Sequence, residues 1–292
     1  MADTLVQIER IAGLSQTFQW DMDRKGAIGN GGFSFVPFNG TFDEVPVVVA
    51  FIENTGSPLC RLRNISKTGF EVQQSGGGPS AVHYFACTPG VWLVNGFLVQ
   101  TAELATSLNS ANAGWVNWFR PFKRTPALFA CAMVGVVDPG NQKPGIIYTG
   151  TPSTADPDRF GTKGLGIHMN NASGNAVTII GVEPTGPGVI GTNPLSGGSG
   201  SFKAGHKFEA GYFRTPAALG SITFASPFAA APALVFTTSG FDGYQNSGEN
   251  IGGYRITPIT TRFDYEVSSA PIGCQWLAMD KGFGSTAARR LV

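Results

Sequence analysis

One phrase, a Phe followed after three residues by Pro and then by an apolar run, occurs three times along this chain. It reads Phe42-Asp-Glu-Val-Pro46 into Val47-Val-Val-Ala-Phe51, Phe122-Lys-Arg-Thr-Pro126 into Ala127-Leu-Phe-Ala-Cys131, and Phe228-Ala-Ala-Ala-Pro232 into Ala233-Leu-Val-Phe236. Proline has no N–H for the middle of a sheet, so it fits at the first residue of a strand, and the short apolar run after it reads as a buried strand. Each phrase therefore predicts the entrance to a core strand, and self-similarity of this kind marks a repeat architecture.

Copies one and three continue in the same order. Copy one runs through Leu59-Cys-Arg-Leu-Arg-Asn-Ile65, Thr68-Gly-Phe-Glu-Val72, the turn Ser75-Gly-Gly-Gly-Pro79 and Val82-His-Tyr-Phe-Ala86. Copy three runs through Gly240-Phe-Asp-Gly243, Tyr254-Arg-Ile-Thr257, Thr261-Arg-Phe-Asp-Tyr-Glu-Val267 and Cys274-Gln-Trp-Leu-Ala278. The similar distances from Phe70 to Tyr84 and from Phe263 to Trp276 suit a hairpin with a modest loop. Copy two has the opening phrase, then a long insertion over 138–163 before Leu165-Gly-Ile-His-Met169 and Ala176-Val-Thr-Ile-Ile-Gly-Val182. With 40 Gly and 19 Pro in 292 residues, long helices are nearly excluded. The expected fold is all-β: tandem antiparallel β-sandwich modules, two clear and one diverged, with few or no helices.

Charge and cysteine usage exclude several function classes. Twenty basic and 19 acidic residues, net +1, leave no footprint for duplex nucleic acid, and no apolar run is long enough for a membrane helix. Met1-Ala-Asp-Thr4 lacks the start of a signal peptide, so folding in a cytoplasm is expected. Cys60, Cys87, Cys131 and Cys274 form no CxxC and read as buried free thiols. Asp21-Met-Asp23-Arg-Lys-Gly26 opens like a calcium loop, but Gly32 stands where the terminal Glu is required. No metal and no cofactor is expected. No GxSxG, HExxH or Cys-His signature is present, so no enzyme is expected.

The phrase, followed by Arg and Ile, then Gly-Phe-apolar, then an aromatic-x-Ala ending, resembles the H-type lectin unit. Trp276-Leu-Ala278 matches that ending directly, Tyr84-Phe-Ala86 stands there in copy one, and copy two has no aromatic. The resemblance implies a small sandwich of about six strands that assembles as trimers and binds N-acetylgalactosamine-type sugars. Such modules also occur in bacteriophage tail and fibre proteins, which a Gly-, Phe- and Asn-rich chain of low charge is similar to. The resemblance thus implies a virion structural protein, a homotrimer, binding host cell-surface polysaccharide and assembled in the host bacterial cytoplasm. The alternative is a purely structural capsid decoration, head fibre or tail adaptor, and a glycan-degrading tailspike is a further one.

A sugar needs a flat apolar face and planar hydrogen-bonding partners. In copy three Tyr254, Arg255, Asp264 and Trp276 are the candidates; in copy one they are Arg63, His83 and Tyr84, with Arg61 nearby. The expected division is an attachment segment over 1–40, contacting other virion proteins and ending in the apolar Phe33-Ser-Phe-Val-Pro-Phe38. Modules follow over 41–110, 111–185 and 211–292, with a Gly/Pro/Ser-rich linker or arm over 186–210. Trp115, Trp118 and Phe119 predict a strand apolar on both faces.

Overall fold

The computed structural model describes residues 15–28, 32–53, 59–75, 80–107, 113–122, 126–133, 144–148, 164–169, 173–183, 199–214, 219–240, 255–266 and 273–292. These residues form strands and turns without a helix, so the chain is all-β.

The strands fall into three sets with the same pairing plan. The first holds β1 (Ser15–Ile28), β2 (Phe33–Pro37), β3 (Val47–Glu53), β4 (Leu59–Arg63), β5 (Gly69–Ser75) and β6 (Ser80–Cys87). The second holds β7 (Val91–Val94), β8 (Phe97–Ser107), β9 (Ala113–Asn117), β10 (Ala127–Met133), β11 (Pro144–Tyr148), β12 (Gly164–Met169) and β13 (Ser173–Val182). The third holds β14 (Ser199–Lys203), β15 (His206–Arg214), β16 (Leu219–Thr223), β17 (Ala233–Gly240), β18 (Arg255–Pro258), β19 (Arg262–Glu266) and β20 (Gly273–Met279). Each contributes a small sheet, ordered β2-β5-β4, β9-β12-β11 and β16-β19-β18. Each also contributes a second run, β3-β6-β1, β10-β13-β8-β7 and β17-β20-β15-β14, and pairing between modules joins the runs into sheets of 11, 7 and 3 strands among the described residues.

The first set is one strand short, and β21 (Gly282–Arg290), the last strand of the chain, completes it by pairing antiparallel with β1 from Ser15↔Arg289 to Met22↔Gly282. In modules two and three the corresponding strands are joined by two-residue turns at Asn95-Gly96 and Ala204-Gly205, with positive φ of 47° at Asn95, 88° at Gly96 and 78° at Gly205. Asn and Gly tolerate that left-handed geometry and close hairpins of matching twist. β21 goes on to pair with β7 at Arg289↔Leu93 and Arg290↔Trp92, so the end of the chain ties module one to module two.

Packing inside a module repeats as well. Phe38 and Phe42 meet edge to face with centroids 5.1 Å apart, Trp118 and Phe122 at 5.3 Å, and Phe224 and Phe228 at 4.8 Å. The phrase's Phe is therefore half of an aromatic pair that begins four residues earlier. Onto it pack Phe70 and Tyr84 in module one (5.2 Å) and Phe263 and Trp276 in module three (5.3 Å). A buried polar side chain on the central strand then fixes the turn carrying the pair. Asp21 accepts from the Asn39 N–H at 2.6 Å, Gln100 from the Arg120 N–H at 3.1 Å, and Glu209 from the Ala225 and Ser226 N–H groups at 2.9 and 3.2 Å. These turn N–H groups, which lie outside the strand ladders, are satisfied this way.

The modules close on one another cyclically. Thr178 of module two donates to the Val48 carbonyl of module one at 2.7 Å. Gln275 of module three accepts from the Leu128 N–H of module two, and His83 Nδ1 of module one accepts from the Leu234 N–H of module three at 3.2 Å. Val48, Leu128 and Leu234 are each the second residue after the phrase's Pro. The phrase thus sets both where a core strand begins and which backbone group faces the neighbouring module.

The expected boundaries shift accordingly. Within 1–40, β1 and β2 are integral strands of module one: Phe18, Trp20 and Met22 have no exposed surface, and Val36 and Phe38 are covered by their own module. Residues 1–14 lie outside the described residues. Within 186–210, residues 199–210 belong to the β14–β15 hairpin, and 184–198 are outside the description. Strand β9 stops at Asn117, so strand alternation does not govern the next two residues: Trp118 is core, packed on Phe122, and Phe119 is exposed; the Trp115 side chain is outside the description. Cys60, Cys87 and Cys131 are free thiols, as expected, with Cys87 and Cys131 buried.

Candidate functional site

Among the described residues, the outward face of the small sheet β2-β5-β4 carries a set of groups suited to a polar ligand. Alternation along β2 sends Val36 inward and leaves Phe33 and Phe35 outward, with Phe35 58% exposed. Phe33 stands opposite Gln73 and Phe35 opposite Glu71; across β5, Glu71 stands opposite Arg63. Glu71 Oε2 accepts from Arg63 Nε at 2.5 Å and from Asn64 Nδ2 at 3.0 Å. Asn64 sits at φ 49°, a left-handed position that Asn accepts more readily than most residues, and that turn brings its amide back over the carboxylate. The Arg63 guanidinium lies over the Phe33 ring, 3.6 Å from its centroid, which holds it flat. Phe35 lies against Gly69, where any Cβ would collide with the ring.

The arrangement offers an exposed aromatic, a carboxylate held by two donors and a flat guanidinium, all on one rigid sheet. Such groups can stack against the C–H face of a sugar ring while donating to and accepting from its hydroxyls. Module three has a sparser version. Leu219 is 66% exposed at the end of β16, and Asp264 pairs with Arg262 at 3.0 Å.

Of the residues singled out in the sequence, Arg63 and Asp264 lie on these outward faces. Tyr254 falls outside the described residues, as does the Arg255 side chain, although its backbone starts β18 opposite Glu266. Tyr84, Trp276 and His83 require correction as contact residues, because all three have no exposed surface. Tyr84 and Trp276 point between the sheets; the Tyr84 hydroxyl donates to Asp21 at 3.0 Å, and burial followed by the nearby Asp21 charge pushes its pKa up. His83 lies in the seam between modules one and three, 3.3 Å from Glu53 Oε2, and Arg61 is 4% exposed on β4.

Phe33, Phe35, Asn64 and Glu71 were missed. The period-two spacing of Phe33 and Phe35, within the expected attachment segment, is the signal that marks one face of a strand. Asp21 and Asp23 stand on a regular strand rather than a loop. Asp21 is bound by Asn39 and Tyr84, and Asp23 holds Lys25 at 2.7 Å. Burial raises the Asp21 pKa; at Asp23 burial is overcome by bonds from Lys25, Arg24 and Asn39, and the pKa falls. No group of three metal-ligating side chains is present among the described residues.

No family model, curated protein or solved structure matches the chain.

Proposed function

We propose that this chain is a structural protein of a bacteriophage or phage-like virion, a tail, fibre or spike component, that binds host surface glycans. The outward face of β2-β5-β4 is its principal contact. The observation that carries the reading is the Arg63–Glu71–Asn64 constellation beside exposed Phe35. The guanidinium and carboxylate neutralise each other, so the ligand that fits is a neutral hexose or N-acetylhexosamine. The H-type lectin resemblance and the low-charge, Gly-rich composition support the virion setting. Weak binding at one face is offset by many copies on a particle.

The resemblance implies a threefold set of modules, and one chain already contains three, joined cyclically. Homotrimerisation and docking to other virion proteins through the N-terminal segment belong to the same proposal. A purely structural adaptor is the second reading, favoured by the burial of Tyr84 and Trp276, which leaves fewer aromatics at the surface. Titrating the protein with host-envelope or cell-wall polysaccharide separates the two. Saturable binding weakened by Phe35→Ala supports the glycan reading, and no saturable binding by the wild type rejects it.

A further inference from the structure

The three seams are built alike but are not chemically alike. At the position where module one places His83, module two has Thr178 and module three Gln275. At the position where module three places His206, module two has Phe97 and module one Phe18. His83 reaches Leu234 of module three, and His206 packs edge to face on Trp20 of module one, 5.4 Å between centroids at 77°. Both imidazoles therefore lie in the seam between modules three and one. The corresponding contacts at the other two seams, Thr178 to Val48, Gln275 to Leu128, Phe97 to Phe208 and Phe18 to Trp92, contain no group that titrates near neutral pH.

That seam is also differently reinforced. β4 runs parallel to β10 between modules one and two, and β11 parallel to β17 between modules two and three. Among the described residues no such pair joins β18 to β3. We propose that the seam between modules three and one is an acid-sensitive joint, loosened by protonation of His83 and His206 while the other two seams hold.

The chemistry follows from the contacts. His83 Nδ1 accepts the Leu234 N–H, so a proton on that nitrogen sets donor against donor and orphans a buried amide. The charged groups facing His83 are Glu53 of β3, which favours the proton, and Arg24 of β1 and Lys281 before β21, which oppose it. Both ring nitrogens of His206 are buried without a partner, so an imidazolium there has no acceptor. Facing it are Asp280 and Asp21, which favour the proton, and Lys203, which opposes it. Burial is the largest influence on both histidines and holds each below the usual 6.5. The unfolded chain therefore takes up protons first as the pH drops. The stability these groups contribute is complete above 6.5 and is lost as the pH falls from there through the folded values.

The chain's own repeat supplies the variants. His83→Gln keeps the acceptor, as Gln275 does, and His206→Phe restores the aromatic of the other two modules. Residue-resolved amide exchange on the full-length protein, corrected for intrinsic rates, is compared at neutral pH and at about pH 5, where imidazoles charge and most carboxylates do not. In the wild type, acid should lower protection of the Leu234 amide selectively against the equivalent Leu128 amide. The double variant should lose that selectivity, and each single variant should lose part of it. Equal loss at Leu128 and Leu234, or no loss at either, overturns the proposal. Selectivity that persists in the double variant overturns it too, assigning the effect to the carboxylates instead.

Discussion

The Thr178 hydroxyl of module two donates to the Val48 carbonyl of module one at 2.7 Å, and the equivalent Gln275 carbonyl accepts the Leu128 N–H. The two ties hold equivalent seams with opposite polarity, so they should respond unequally to truncation. Thr178→Val removes one donor from a carbonyl with a second lone pair and is expected to cost about 1 kcal/mol. Gln275→Leu strands a buried N–H and should cost roughly 2–3 kcal/mol. Urea unfolding with unchanged m-value reads the order directly, and equal costs would contradict it.

Gly284 lies opposite Trp20 in the β1–β21 pair, and a Cβ on it would enter the indole ring. Gly200 holds the same relation to Phe208, whereas module one's neighbour inverts it with Trp92 opposite Val99. Large and small thus complement each other at every cross-strand pair of this level. Gly284→Ala should destabilise the protein by about 1–3 kcal/mol through overpacking. A thermal midpoint unchanged from wild type would show that β21 yields at that point.

Glu209 has no exposed surface and accepts the Ala225 and Ser226 N–H groups. Glu209→Ala leaves both without that acceptor and is expected to cost about 2 kcal/mol. Glu209→Gln keeps an acceptor for one of the two N–H groups but sets its amide NH2 against the other, unlike Gln100, which accepts one N–H and donates to the Arg120 carbonyl, so it should recover only part of the loss. Denaturant midpoints of the two variants test the ranking.

On the outward face, Phe35→Ala and Arg63→Ala should each weaken glycan binding about ten-fold or more, equivalent to roughly 1.4 kcal/mol. Stability should move by less than about 1 kcal/mol, since the Arg63–Glu71 pair is partly solvated at 43% and 28% side-chain exposure. Calorimetric titration and thermal melting, run side by side, separate lost contact from lost fold.

The three strand entrances were legible in the sequence because proline's missing donor and the apolar run after it are local properties. The aromatic endings were legible as types and misplaced as roles. Tyr84 and Trp276 stand at strand positions facing the inner layer, and period-two alternation cannot say which face is inside until the opposite sheet is in place. Arg63 is legible as a planar hydrogen-bonding group, but Arg61, which alternates with Leu62 in the same way, is 4% exposed. The Arg63 partners Phe33 and Phe35 come from a strand thirty residues earlier, which only pairing brings alongside.

What the sequence determined by itself is the β class and the threefold phrase, because proline, glycine and apolar spacing act within a few residues of the backbone. What the tertiary structure decided is the closure. Ser15 meets Arg289 across nearly the whole chain, and the last strand fills the gap in the first module. His83, Thr178 and Gln275 each reach into a different neighbour. Those contacts depend on three modules meeting, and no local preference encodes which of three similar partners a buried side chain will find.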